Sequence, residues 1–580
     1  MKYLLKKNLL LLIYILFVMY WYLFRNRYQV LFFQEEAQMF QFSGSYFQQY
    51  MNRPSGISGY LASFLIQFFR YPAAGGCIYA VVFYALYKAF QCVLRKFSLF
   101  EKSLFIPAVP SLLFLPASTH IQFDFASQLS FIIALAGFAV LTAAAKRKYY
   151  YLYVPALTVL LYLLAGGNVF ITVVLFVFYS LTCGEKKWKP CLLSTVVSAL
   201  VPFLLLHVAY PVPFREAFLG STPFHKGKPE GLFLFYAASW LSVVLLPFIG
   251  ILFRKICAGM GRWKYLLVAD AGLSAIVIGV ILWSYNPNME NVIKMIYHAE
   301  KEQWEKVLTT SAELPAGHYS CFYANLALQK TGEMGEKMFR YNQTDASGLF
   351  LVSEDMISCY MMSDLFYQMG VINESQQYAF ESMMGFMDIK EANLLNVKRL
   401  VSCAALRKDV RLVSKYQGIL DKTLFYGNCA QKYKSLMAED APLTESGDTV
   451  NVFGKSLLIS ILKNNPRHKM AFEYLMAYYL LDADYEGAKN CFDTYYSNFD
   501  YANIPTHYAE FLILYAYINR AGTDFFEKYP LPGIMREDFE AMNLLLMAKR
   551  NNNIINTLEK QFKGTYWFYI QFPLIASQKK

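Results

Sequence analysis

Charge is scarce in this chain: Asp, Glu, Lys and Arg together make up 17% of its 580 residues, against 56% hydrophobic and 17% aromatic. That balance excludes an ordinary multi-domain soluble protein and points to a membrane protein. The charge present leans basic, with a formal net charge of +12. Lys and Arg nevertheless fall in short clusters between apolar runs rather than along one helix face, which argues against a nucleic-acid partner and for loops sorted by the positive-inside rule. Clustered metal ligands are also missing. Of ten cysteines none forms a CxxC or a metal-spaced group, and the seven histidines are scattered without an HExxH, a P-loop or a nucleophile elbow. Zinc-dependent cleavage and ATP hydrolysis are thereby disfavoured, no metal or cofactor is expected, and the cysteines read as buried thiols rather than a disulfide framework.

Long apolar runs fill the first half. A helix needs roughly 20 apolar residues to cross the hydrocarbon layer, and such runs occur at about 8–24, 73–94, 103–117, 126–145, 149–165, 168–183, 190–210, 231–253 and 264–284. The expectation is about nine spans. Basic clusters at Arg95, Lys96 and Lys102, at Lys146 to Lys148, at Lys186, Lys187 and Lys189, and at Arg254, Lys255, Arg262 and Lys264 alternate between them. Placing these in the cytoplasm with Lys2, Lys6 and Lys7 gives a cytoplasmic N-terminus and extracytoplasmic loops at 25–72 and 211–230. Run 103–117 carries Pro107, Pro110 and Pro116 and is kept as a crossing because skipping it would invert the later clusters. No small-residue cleavage site follows the first run, which reads as an uncleaved anchor.

After Tyr285 the pattern becomes polar and periodic, so the expected organisation is a transmembrane helical domain over 1–285 and an extracytoplasmic helical domain over 286–580. In "AFEYLMAYYLLDADYEGAKNCFDTYYSN", Phe472, Leu475 and Tyr479 share one face of a first helix, a turn runs through Ala483 and Asp484, and Ala488 and Phe492 face back from a second. The spacing resembles the tetratricopeptide repeat, with Met476 where the repeat usually has glycine. The resemblance implies an α-solenoid whose stacked pairs present a face to a protein partner. The overall fold class expected is all-α.

The stretch "FFQEEAQMFQFSGSYFQQYMNRPSG" at 32–56 follows the first apolar run and leads into "ISGYLASFLIQFF", too short to span and suited to the interface plane. This order of helix, acid, polar loop and interfacial helix resembles the membrane glycosyltransferases of the GT-C class, with "EE" as the one motif element. The resemblance implies a polyprenyl-phosphate-linked sugar donor at the extracytoplasmic face and a catalytic acid in the first outer loop. Glu35 or Glu36 is then the candidate base for the acceptor hydroxyl. Arg53 and Arg215, with Arg70 ranked behind them, are candidates to stabilise the leaving phosphate, and Tyr46, Tyr50 and Trp240 could offer rings or hydroxyls to a sugar. Each residue also has a plainer role, since acids suit the start of an interfacial helix and Arg, Tyr and Trp gather at membrane surfaces.

A second resemblance rests on the same stretch extended through "FRYPAAGG", on "YLLAGGNVF" at 162–170 and on the closing "GTYWFYIQF" at 564–572. These look like an uncharacterised family of bacterial integral membrane proteins, a domain of unknown function. The resemblance implies a bacterial cytoplasmic membrane and no particular activity. Two expectations follow: a glycosyltransferase-like enzyme of the cell envelope, or a non-catalytic membrane scaffold whose repeat domain binds partners in envelope assembly or export.

Overall fold

The computed structural model describes scattered positions between 13 and 20 and most of 27–572, apart chiefly from 183–187, 225–229, most of 257–286, 386–392, 439–452 and 548–551. Every regular element among the described residues is helical. The chain divides into two compact units: Met1–Asn286 together with Asp421–Tyr426, and Pro287–Leu420 with Gly427–Lys580.

The first unit contains α1 (Arg27–Glu36), α2 (Gly44–Met51), α3 (Gly56–Ile66), α4 (Pro72–Lys96), α5 (Val109–Ser118), α6 (Phe125–Ala144), α7 (Tyr150–Ala165), α8 (Val169–Thr182), α9 (Trp188–Val208), α10 (Phe214–Leu219) and α11 (Glu230–Ile256). Among the described residues, five helical stretches are long and apolar enough to cross a membrane: Pro72–Lys96, Phe125–Ala144, Tyr150–Thr182, Trp188–Val208 and Phe233–Leu252. These five indicate a membrane protein. The expectation of nine spans is corrected accordingly, and the reasons differ along the chain. Runs 8–24 and 264–284 lie largely outside the described residues. Run 103–117 folds as a short apolar helix, Ile106–Ser118, about 20 Å long against a hydrocarbon thickness of about 30 Å. Its prolines stand in and just after an opening 3-10 turn and near its end.

Runs 149–165 and 168–183 fold as the separate helices α7 and α8, although by length and composition they form one apolar stretch, Tyr150–Thr182. A 3-10 turn at Gly166–Asn168 interrupts it, with Gly166 at φ 56° and ψ −136°. Asn168 Nδ2 donates to Ser130 Oγ at 2.8 Å, Thr172 Oγ1 to the Ala134 carbonyl at 2.7 Å, and the Tyr179 ring lies 5.9 Å from that of Phe138. Residue numbers along α8 therefore rise with those along α6. On α7 the order is reversed: its start follows the end of α6 through a short turn, and Leu161 packs on Gly137 so closely that a Cβ there would stand 2.4 Å from it. The two helices run in opposite directions, and the glycine conformation at Gly166 makes the reversal.

α6 is mostly buried and α9 mostly exposed, the latter turning Leu192, Leu200, Phe203 and Leu204 outward. An apolar helix with an apolar outer surface fits hydrocarbon surroundings. Aromatic contacts fill the space around α6, including Phe97 stacked on Phe138 at 5.9 Å.

In the second unit the helices run α12 (Pro287–Glu300), α13 (Trp304–Ala312), α14 (His318–Lys330), α15 (Met334–Lys337), α16 (Met356–Gln368), α17 (Ile372–Gly385), α18 (Leu394–Leu406), α19 (Val410–Leu420), α20 (Ala430–Ala438), α21 (Lys455–Asn464), α22 (Lys469–Leu481), α23 (Tyr485–Tyr495), α24 (Thr506–Ile518), α25 (Thr523–Lys528), α26 (Gly533–Met547), α27 (Asn552–Phe562) and α28 (Tyr566–Gln571). Packing is largely between sequence neighbours, as in α16 with α17 and α22 with α23. At the turn of the latter pair, Ala483 takes φ 55° and Asp484 caps α23 by accepting from Gly487 N–H at 2.9 Å. Phe472 on α22 and Ala488 on α23 are fully buried. The closing aromatic run docks as α28: Trp567 Nε1 donates to the Glu510 carbonyl at 2.7 Å, and Tyr569 donates to the Thr344 carbonyl at 2.6 Å.

Candidate functional site

α1 ends on the two acids singled out in the sequence, and both are buried, Glu35 at 4% exposure and Glu36 at 1%. Their neighbour Gln34 fixes this helix end. Its Nε2 donates to the Ser118 carbonyl at 2.9 Å and the His120 carbonyl at 3.2 Å, while its Oε1 accepts from the Tyr79 hydroxyl at 2.9 Å. The carboxylates are thus held against α4 and the end of α5, away from bulk water, where an ionised group needs hydrogen-bond donors or counter-charge.

One such donor comes from the segment Asp421–Tyr426. The Tyr426 hydroxyl lies 2.8 Å from Glu35 Oε1 and 3.1 Å from Oε2. The segment is seated by the Phe42 N–H donating to the Lys422 carbonyl at 2.7 Å, and by Phe425 edge-on to Phe68 at 5.9 Å and to Tyr71 at 5.5 Å. Arg70 closes the cluster with its guanidinium carbon 4.7 Å from the Tyr426 ring centroid and 5.9 Å from that of Phe425. Burial, then the charges of Glu36 and Glu35, push the Tyr426 phenol far above its usual range, so it stays protonated and donates. Burial pulls Arg70 down, but Tyr426 and Glu35 outweigh it and the guanidinium ends above its usual value.

The other candidate residues are placed elsewhere or differently. Tyr46 and Tyr50 are buried, not open rings; their hydroxyls lie 3.2 Å apart and that of Tyr50 is 2.6 Å from Ser63 Oγ. Both belong to an aromatic cluster with Phe40 and Tyr60. Arg53 is half-buried in the turn between α2 and α3. Arg215 is exposed on α10, where its Nη2 donates to the Phe224 carbonyl at 2.9 Å. Trp240 donates through Nε1 to Asn168 Oδ1 at 3.2 Å, supporting the α7–α8 reversal. Of Arg53, Arg70 and Arg215, the structure brings Arg70 to Glu35. Tyr426 was out of reach of sequence reasoning because nothing in its local pattern links it to a residue 391 positions away.

Chemically, the cluster offers a carboxylate that accepts a hydroxyl hydrogen, a cation beside it and aromatic walls. No group of three or more His, Cys, Asp or Glu among the described residues could hold a metal ion. A cavity of about 20 Å³ walled by Phe339, Arg340, Lys563 and Tyr569 in the second unit has room for about one water, far less than a sugar needs.

Helices throughout the described residues, with five apolar membrane-length stretches and a second helical unit, define a class of membrane protein and no reaction. More particularly, the chain belongs to a family of unknown function, DUF6057, whose model matches residues 2–573. No curated protein and no solved structure matches it.

Proposed function

We propose that this protein is a non-catalytic scaffold of the bacterial cytoplasmic membrane, with a cytoplasmic N-terminus and an extracytoplasmic second unit that binds protein partners in envelope assembly or export. The observation that carries this reading is the engagement of Glu35 by Tyr426: the carboxylate best placed to act as a base is used to hold the fold together. Two further observations agree. The helix pairs of the second unit, α22 with α23 above all, have the spacing and small-residue contact of tetratricopeptide-like repeats, which stack into solenoids and bind protein segments. On α26, Leu544 and Met547 stand one turn apart at 70% and 75% exposure, the kind of apolar surface that partners cover.

A second reading, a GT-C-like transferase using a polyprenyl-phosphate-linked sugar, is favoured by one feature. The Tyr426 hydroxyl sits where an acceptor hydroxyl would sit for proton transfer to Glu35, and Arg70 beside it has the charge a leaving phosphate calls for. That chemistry requires Tyr426 to move aside.

Complementation of a gene deletion separates the two. The scaffold reading expects Glu35→Gln with Glu36→Gln to restore function and leave envelope glycans and polyprenyl-linked sugars unchanged by mass spectrometry. It expects Leu544→Asp with Met547→Asp to insert normally and fail to complement. Loss of a glycan in the Glu double variant, at normal membrane levels, would overturn the scaffold in favour of the enzyme.

A further inference from the structure

Several helices of the first unit finish or begin at one end of the bundle. Phe97, just past α4, stacks on Phe138 and also meets Phe178 and Tyr179 at 5.5 Å each, so the C-terminal turns of α4, α6 and α8 lie together. α7 starts there after the turn that follows α6. α9 starts there too, because Cys191 Sγ reaches the Phe176 carbonyl at 3.9 Å and Thr158 Oγ1 is 3.1 Å from Ser194 Oγ.

Arg95, Lys96, Lys146, Arg147, Lys148 and Lys189 gather at this end, all but the half-buried Lys96 exposed. The described residues there include no carboxylate, and the sequence has neither Asp nor Glu from 125 to 184. Aromatic rings accompany the cations and are exposed as well: Tyr149, Tyr151, Tyr153 and Trp188. Arg147 lies 5.9 Å from the Tyr153 ring, Lys148 5.7 Å from Tyr149 and Lys189 5.9 Å from Trp188. Ring contacts orient these cations without neutralising them, and three consecutive cations repel one another. Among the described residues, no carboxylate balances them.

We propose that this end is a binding surface for anionic phospholipid headgroups. The lipid phosphate supplies the missing negative charge, and the exposed Tyr and Trp rings sit at headgroup depth, apolar body toward the acyl chains and polar edge toward water. A soluble acidic protein would satisfy the cations but would leave rings that flank the ends of apolar membrane-length helices at the wrong depth.

The test uses the full-length protein in a neutral detergent at low salt, with thermal unfolding followed while phosphatidylglycerol, phosphatidylcholine or inorganic phosphate is added. Phosphatidylglycerol is expected to raise the unfolding temperature and the other two to leave it unchanged. Lys146→Gln/Arg147→Gln/Lys148→Gln should weaken the apparent lipid affinity on the order of 100-fold. Trp188→Ala/Lys189→Gln gives an independent reading should the triple variant fold poorly. Lys415→Gln, which removes a similar cation–ring contact in the second unit, should change nothing. Equal stabilisation by phosphatidylcholine or by phosphate, or undiminished affinity in both site variants, overturns the proposal.

Discussion

The hydroxyl of Tyr426 lies within hydrogen-bond distance of both carboxylate oxygens of Glu35, although 391 residues separate the two in sequence. The bond closes a buried acidic corner of the first unit, and removing it should be felt. Tyr426→Phe keeps the ring on Arg70 and deletes only the donor, for an expected loss of about 1 to 3 kcal/mol. Unfolding of the purified protein in detergent measures it; an unchanged midpoint would mean that Glu35 is satisfied without Tyr426.

In the second unit Arg399 Nη2 bonds Asp364 Oδ1 at 2.8 Å, with the carboxylate buried, the arginine mostly so, and the guanidinium 4.3 Å from the Tyr367 ring. Burial favours the neutral forms of both groups; the surrounding anions nevertheless hold Arg399 above its usual range. Arg399→Met should cost about 3 to 5 kcal/mol, because it strands a buried carboxylate. Arg399→Met with Asp364→Leu should cost much less than the sum of the single losses, and a double-mutant cycle in urea reads the difference.

Gly166 turns the chain between α7 and α8 with φ 56° and ψ −136°, a region nearly closed to other residues. An added Cβ would also meet the Gly220 carbonyl oxygen at 3.0 Å and Ser55 Cβ at 3.1 Å. Gly166→Ala should therefore lower stability by about 1 to 3 kcal/mol. A lowered unfolding temperature together with a smaller monodisperse fraction in size-exclusion chromatography is the expected result.

His468 caps α22: its Nδ1 accepts from the Ala471 N–H at 3.0 Å while Nε2 donates to the Met369 carbonyl at 3.0 Å. Both bonds suit the neutral ring, and burial lowers its pKa below the ordinary 6.5. A lowered pKa means the unfolded chain binds the proton more readily, so the contribution is whole above about pH 6.5 and is lost as pH falls through the folded value. His298, also lowered by burial, adds in the same sense. Between pH 7.5 and 5 the second unit should lose stability, and His468→Asn, which can cap without titrating, should flatten part of that slope.

Much of this was legible along the chain. The low charge and long apolar runs identified a membrane-type first half, because burial of apolar helices in hydrocarbon depends on composition and run length. The change at Tyr285 stands beside the boundary between the two compact units, Asn286 and Pro287. The pairing of α22 with α23 and the burial of Phe472, Leu475, Ala488 and Phe492 followed from local periodicity.

Span number was less legible. Apolar composition does not separate a straight crossing from the short prolyl helix at Ile106–Ser118, whereas the break between 149–165 and 168–183 was legible and falls at the Gly166–Asn168 turn. The acids at Glu35 and Glu36 stood out from their sequence, but their surroundings did not. Tertiary structure alone brought Tyr426 to Glu35 and made Arg70, rather than Arg53 or Arg215, the cation of that cluster, since a hydrogen bond across 391 residues depends on the packing of the whole unit and leaves no periodic trace in the chain.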